Sequence, residues 1–178
     1  MNLKDIAQLV TDKISSRQVT LQDYVTTDSL LPNKQGRTIA QNLPPQPCTL
    51  TRFQVGDVLV ANIRPYLQKV WLADCEGAAS TDVLVFRSIN GHSSQYLYAV
   101  LLQDSFYEWV MLGTKGSRMP RGNKDQIMRF PITDIANQEQ NIGSLIENIS
   151  KKISLNKQIN QNLPDRSSIT VTTRCAAW

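Results

Sequence analysis

VGDVLVANIRPYLQKVWLADCEGAASTDVLVFR, Val55 to Arg87, is the stretch that decides the fold class. Val55-Gly56-Asp57 reads as a turn. The runs behind it, Val58 to Ile63, Val70 to Ala73 and Val83 to Phe86, are short, rich in β-branched residues and separated by turn formers, which is the composition of strands. Pro65 closes the first run, because proline cannot donate to a ladder. Short strands close together in sequence predict a small β-rich body.

Working outward, Leu3 to Val10 suits the start of a short helix or strand. Thr26 to Pro47, rich in Asn, Gln, Pro and Thr, predicts a loop with Lys34 and Arg37 exposed on it. Beyond the strands, SQYLYAVLLQDSFYEWVMLG, Ser94 to Gly113, sets Leu97, Val100, Leu101, Tyr107 and Met111 near helical spacing. With Ser93 or Ser94 as N-cap and Gly113 as a stop, this predicts one or two core helices. GTKGSRMPRGNKDQ follows, the most basic window of the chain, with Lys115, Arg118, Arg121 and Lys124 before its first acid, Asp125. Ile127 to Ile132, interrupted by Pro131, reads as an edge strand.

Asn137 to Leu163 holds no proline until Pro164 ends it, and reads as one long helix. Along it Ile142, Ile146, Ile149, Ile153, Asn156, Asn160 and Leu163 recur at 4-3-4-3-4-3 spacing, the seam of a coiled coil. The class is therefore α+β. A β-rich domain with small helices spans 1–136, a coiled-coil helix spans 137–163, and a Ser/Thr-rich tail over 164–178 is expected to be disordered.

Composition narrows the function. With 178 residues, 41% of them hydrophobic, the chain can bury one core and carry an appendage. It has no run of eighteen apolar residues and starts with the charged, amphipathic MNLKDIAQLV; both argue against a membrane partner and for a cytoplasmic protein. Cys48, Cys75 and Cys175 are odd in number and widely spaced, which predicts reduced thiols rather than a disulfide framework or a zinc site. His92 follows Gly91 in a turn with no cysteine, second histidine or carboxylate cluster beside it, and reads as a surface residue. GxSxG, GxxxxGK[ST], GxGxxG and carboxylates at metal-ligand spacing are all missing, so no catalysis, cofactor or metal is expected. A net charge of +4 and a pI near 9.1 fit binding to a polyanion, yet proteins without a nucleic-acid partner reach the same values.

Three separated segments resemble the specificity subunits of type I restriction-modification systems. Val55 to Arg87 looks like that family's strand segment, with its Gly-Asp turn, Arg-Pro-Tyr step and later Ala-Ser-Thr. GTKGSRMPRGNKDQIMRFPI, Gly113 to Ile132, is similar to the loop and FPI edge that close a target recognition domain. NQEQNIGSLIENISKKISLNKQINQNL, Asn137 to Leu163, resembles the helix that follows each such domain. The resemblance implies a non-catalytic protein that reads double-stranded DNA and partners methyltransferase (modification) subunits and, through them, a restriction motor subunit.

Full-length members carry two recognition domains and two helices packed antiparallel, whereas this chain shows one of each. Three readings follow: a half-subunit working as a homodimer on a bipartite palindromic target, a truncated product, or an excised domain. A truncated subunit would act as an interaction partner or regulator without DNA specificity of its own. A recognition domain cut from a methyltransferase fusion would leave the seam helix without a task.

Arg118, Arg121 and Lys124, with Lys115, Ser117 and Asn123, lie on the glycine-bounded loop. Cations there suit phosphates, and Arg or Asn can pair bidentately with guanine or adenine. A merely solvated loop has the same composition, and the resemblance favours contact. Arg64, Tyr66 and Lys69 follow a strand end where Pro65 stiffens the turn toward one surface, although Tyr66 also suits a core cap. Lys34, Gln35 and Arg37 fall in the loop that the resemblance assigns to the variable, sequence-deciding part. The seam also allows a helix packed on its own domain; its length of about 40 Å at 1.5 Å per residue and its two asparagines favour a partner helix.

Overall fold

The structure, a computed structural model, describes residues 1–114, 119–133 and 138–162. The three strands read from the sequence form the centre of the first sheet: β5 (Val58–Ala61), β6 (Val70–Leu72) and β8 (Val83–Ser88), joined by β1 (Ala7–Leu9) in the order β1-β8-β5-β6, all antiparallel. All four residues of β5 are buried, because its two faces serve two cores. Val58 and Val60, with Leu84 and Phe86 of β8, meet the helices. Leu59 and Ala61, with Val83 and Val85, meet Phe53 and Trp71 on the other side. Side chains alternate along a strand, so a strand covered on both faces reads as a continuous apolar run.

The second sheet covers that other face. It comprises β2 (Lys13–Ser15), β4 (Thr49–Phe53), β7 (Gly77–Ala79) and β3 (Tyr24–Val25), in the order β2-β4-β7-β3, with only β3 and β7 parallel. Gly77 makes this pairing possible, since a Cβ there would lie 2.1 Å from the Asp23 carbonyl oxygen.

The Gly-Asp turn before β5 is a structural tie. Gly56 has φ +89°, and Asp57, 1% exposed, accepts hydrogen bonds from Arg87 Nε and Nη2 at 2.8 Å each and from the Gln54 N–H at 2.9 Å. Arg87 closes β8, so one buried carboxylate pins the start of one central strand to the end of its neighbour.

The helical layer contains α1 (Leu3–Ile6), α2 (Ser94–Leu101), α3 (Asp104–Leu112) and α4 (Lys124–Ile127). Ser93 caps α2 by accepting from the Tyr96 N–H, and α3 ends at Gly113. Ile127 to Ile132 is not an edge strand. Asn123 accepts from the Asp125 and Gln126 N–H groups and so starts the single turn of α4 instead. Phe130 then packs edge-on against Phe106 and Trp109, while the backbone bonds to the N-terminus through Leu3 N–H to Phe130 O and Ile132 N–H to Met1 O. A lone bridge, Asn2 to Pro131, is all the β pairing in that segment.

The chain ends its described course in α5 (Glu139–Asn162), the long helix, whose first turns pack on α2. Asn137, Leu163 and the 164–178 tail lie outside the described residues. No described helix is long and apolar enough to cross a membrane.

Candidate nucleic-acid interface

Three loop segments far apart in sequence are joined main chain to main chain. The 3-10 turn Pro65–Leu67 is bracketed by Arg64 at φ +53° and Gln68 at φ +49°, and a second left-handed pair, Asn33 and Lys34, faces it at +54° and +61°. The Asn33 and Lys34 N–H groups donate to Leu67 O and Gln68 O, each at 2.9 Å. On the other side the Arg64 N–H donates to Pro120 O at 2.9 Å, Ile63 bridges Arg121, and the Gly122 N–H reaches Asn62 O at 3.3 Å. Left-handed backbone at non-glycine residues costs on the order of 1 kcal/mol or more each and persists where surrounding bonds over-determine it, typically at binding sites.

Gly122 is the tight point of this junction. A Cβ there would stand 2.8 Å from Val110 Cγ1 and 2.9 Å from both Asn62 Oδ1 and Ile127 Cδ1. Gly122→Ala is therefore expected to lower stability by about 1–3 kcal/mol, the range for overpacking. A urea midpoint equal to the parent's would show that the junction yields freely.

The junction joins segments that carry Lys34, Arg64, Tyr66 and Arg121, and several of the cations expected from sequence have internal partners. Lys34 Nζ pairs with Asp104 at 2.5 Å and lies 5.9 Å from the Tyr107 ring centroid. That hydrogen bond and charge hold the Asp104 carboxyl below its ordinary range. The Arg37 guanidinium lies 4.4 Å over Trp71 and donates to Gln22 O and Cys75 Sγ. Lys69 Nζ donates to Thr27 O. Lys34 and Arg37 are thus half-buried ties, not exposed loop cations, and Lys69 is another tie. Their partners come from α3, β6 and the preceding loop, which local sequence does not reveal.

Arg64, Tyr66, Arg121, Asn123 and Lys124 remain exposed around the junction, with Met119 beside them at 51% exposure. Among the described residues no carboxylate pairs with Arg64 or Lys124. Arg121 meets Asp82 at 3.0 Å in a solvent-exposed pair, which holds the guanidinium only weakly. Asn123 uses its oxygen on the α4 cap, leaving its amide NH2 to donate outward. Lys115, Ser117 and Arg118 lie outside the described residues. No cluster of His, Cys, Asp and Glu suited to a metal occurs among the described residues.

The α5 seam divides. Ile142 packs against the domain's own core, Ile146 is half-buried, and Ile149 and Ile153 are 44% and 50% exposed, with Asn156 and Asn160 exposed beyond them. Ile153 and Lys157 line an open cleft against Gln35, Arg37 and Trp71, and Lys157 Nζ donates to Gln35 O. A second, overlapping row runs along the helix, Leu145, Ile149, Lys152, Asn156 and Ile159, whose apolar members are 44–58% exposed. Sequence reading missed this row because Lys152 interrupts it. Its signal is the same 4-3-4-3 spacing, shifted by three positions and sharing Ile149 and Asn156 with the seam.

No family model matches the chain. It is 24% identical over 121 residues to the type I restriction enzyme EcoDI specificity subunit of Escherichia coli, covering 66% of this chain and 27% of that protein. Its fold is similar to the HsdS subunit from Thermoanaerobacter tengcongensis, with TM-score 0.61 and 15% identity over 89% of this chain and 43% of that one. A chain from work on complex assembly and conformational transition of the type I R-M system also gives TM-score 0.61, at 17% identity over 90% and 45%. The type I restriction-modification S subunit from M. genitalium gives 0.55, at 13% identity over 89% and 42%. The chain thus spans about a quarter of the curated relative and less than half of each solved one.

Proposed function

We propose, on the premise that this chain is a specificity subunit of the type I restriction-modification family, that it reads double-stranded DNA without catalysing any step. Two copies pair through α5 and present two identical recognition surfaces to a bipartite palindromic target. Methyltransferase subunits dock on the pair, and a restriction motor subunit joins through them. The observation that supports the reading is the cross-bonded junction of 33–34, 63–68 and 119–122, on or next to whose segments Arg64, Tyr66, Arg121, Asn123 and Lys124 are exposed. Phosphate contacts position such a surface and base-edge contacts specify the sequence.

Selection from random duplex DNA by the chain mixed with its methyltransferase is the test. Enrichment of a split palindrome supports the dimeric reader; enrichment of a non-palindromic site rules out the homodimer. Arg64→Ala and Arg121→Ala are each expected to weaken binding to the selected DNA. A lost phosphate contact lowers the salt slope by about one unit for every sequence, whereas a lost base contact costs roughly 1–3 kcal/mol and relaxes one position. If both variants match the parent across a salt titration, the reading surface lies elsewhere, with the Thr26 to Pro47 loop next in line.

A second reading is a truncated subunit that assembles with partner chains without selecting DNA. The internal ties of Lys34, Arg37 and Lys69 favour it, because they remove three cations from the surface. Assembly with the methyltransferase but no enrichment of any DNA sequence would select it.

A further inference from the structure

The first turn of α5 is bolted to the recognition domain by contacts of two kinds. Glu139 accepts from the Ser93 N–H at 2.7 Å through one carboxylate oxygen and lies 2.9 Å from His92 Nδ1 through the other. Ser93 is itself the cap of α2, so the carboxylate accepts from a backbone N–H at that helix start, where negative charge is favoured. One turn later Gly143 is buried against the same place: a Cβ there would come 3.3 Å from Gln95 Cβ and 3.4 Å from Ser93 Oγ. Between them Ile142 enters the core beside Tyr96 and Val100. Farther along the helix, Ile153 and Lys157 border an open cleft against Arg37 and Trp71, and Lys157 Nζ donates to Gln35 O at 3.3 Å in an exposed bond.

We infer that Glu139 and Gly143 form a fixed joint that sets the angle between recognition domain and helix, and thereby the spacing of the two half-sites. Glu139 is a positioning residue: it acts on DNA only through the direction it gives α5. This rests on the reading of the chain as a dimeric DNA reader. The lever is long enough to matter. Twenty-four residues at 1.5 Å each make an arm of about 36 Å, so a tilt of about 10° at the joint moves its far end by about 6 Å. At 3.4 Å per base pair that is nearly two base pairs. Half-site identity, in contrast, belongs to the junction at 33–34, 63–68 and 119–122 and should not respond.

The test compares Glu139→Ala, Glu139→Gln and Gly143→Leu with the parent in selection from random duplex DNA, each with the methyltransferase. The parent and Glu139→Gln, whose side-chain oxygen still accepts from Ser93, are expected to select one spacer length. Glu139→Ala and Gly143→Leu are expected to keep the half-site and spread over spacers differing by two base pairs or more. A single, parental spacer from Glu139→Ala overturns the joint. A separate measurement needs no DNA: spin labels on unnatural side chains at Val55 and Asn162, with labelled chain diluted into excess unlabelled chain. Their distance distribution should be narrow in the parent and in Glu139→Gln, and broad in Glu139→Ala. Equal widths in all three overturn the joint whatever the DNA result. A parent that enriches no DNA defeats the DNA-reading premise, while the label distances still decide the joint.

Discussion

Asp57→Ala is expected to unfold at a much lower urea concentration than the parent, with a loss of about 3–5 kcal/mol, the range for removing one member of a buried ion pair. The carboxylate is 1% exposed, and its bidentate grip on Arg87 is made at 2.8 Å on both arms. Alanine leaves a largely buried guanidinium with Asp12 as its nearest acid, at 3.4 Å, and leaves the Gln54 N–H without its acceptor. Such losses are large because desolvation of the surviving partner is no longer offset. Asp57→Asn retains the shape and one good acceptor and should fall between. The loss should appear as a shift in midpoint at constant slope, since the surface exposed on unfolding is unchanged. A midpoint within experimental error of the parent's would mean that the Gly-Asp turn does not pin the two central strands.

If two chains pair through α5 as proposed, Ile149→Asp combined with Ile159→Asp converts that dimer to a monomer in sedimentation and lowers affinity for a split target by about 10²–10⁴-fold, as two half-sites cease to be bound together. Both side chains are half-exposed in the single chain, at 44% and 53%, so a monomer accommodates the charges in water and keeps its fold. A paired helix face does not, because an unpartnered carboxylate removed from water costs several kcal/mol. Ile142→Asp gives the opposite pattern: it enters the domain core and should lower the urea midpoint directly. If the double variant keeps the parental mass, pairing does not use this face of α5.

What could be read from sequence follows from where each element gets its stability. β5, β6 and β8 are legible because strands buried on both faces leave apolar runs, and α2 and α3 because Ser93 and Gly113 mark their ends. The second sheet left no comparable mark. β3 is two residues long and β7 is Gly-Ala-Ala, so neither has strand character until the other is beside it. Ile127 to Ile132 carried the apolar pattern of a strand, but a single asparagine cap upstream outweighed it. For the candidate site, sequence identified the basic segments but not how much of their charge is already used. Lys34 meets an acid 70 residues away and Lys69 a carbonyl 42 residues away. The α5 spacing likewise gives a face without saying which side the chain's own domain occupies.

The junction of 33–34, 63–68 and 119–122 is held by amide and carbonyl groups, which every residue but proline supplies alike. Its mechanical integrity is therefore largely decoupled from the identity of the outward side chains at Gln35, Tyr66 and Met119. Substitutions there can sample new hydrogen-bonding and apolar patterns without dismantling the frame that displays them, provided Gly122 stays small and Lys34 keeps Asp104. A combinatorial library confined to those outward positions should consequently yield a high proportion of folded variants and, if the proposed surface reads DNA, altered base preferences on an unaltered scaffold.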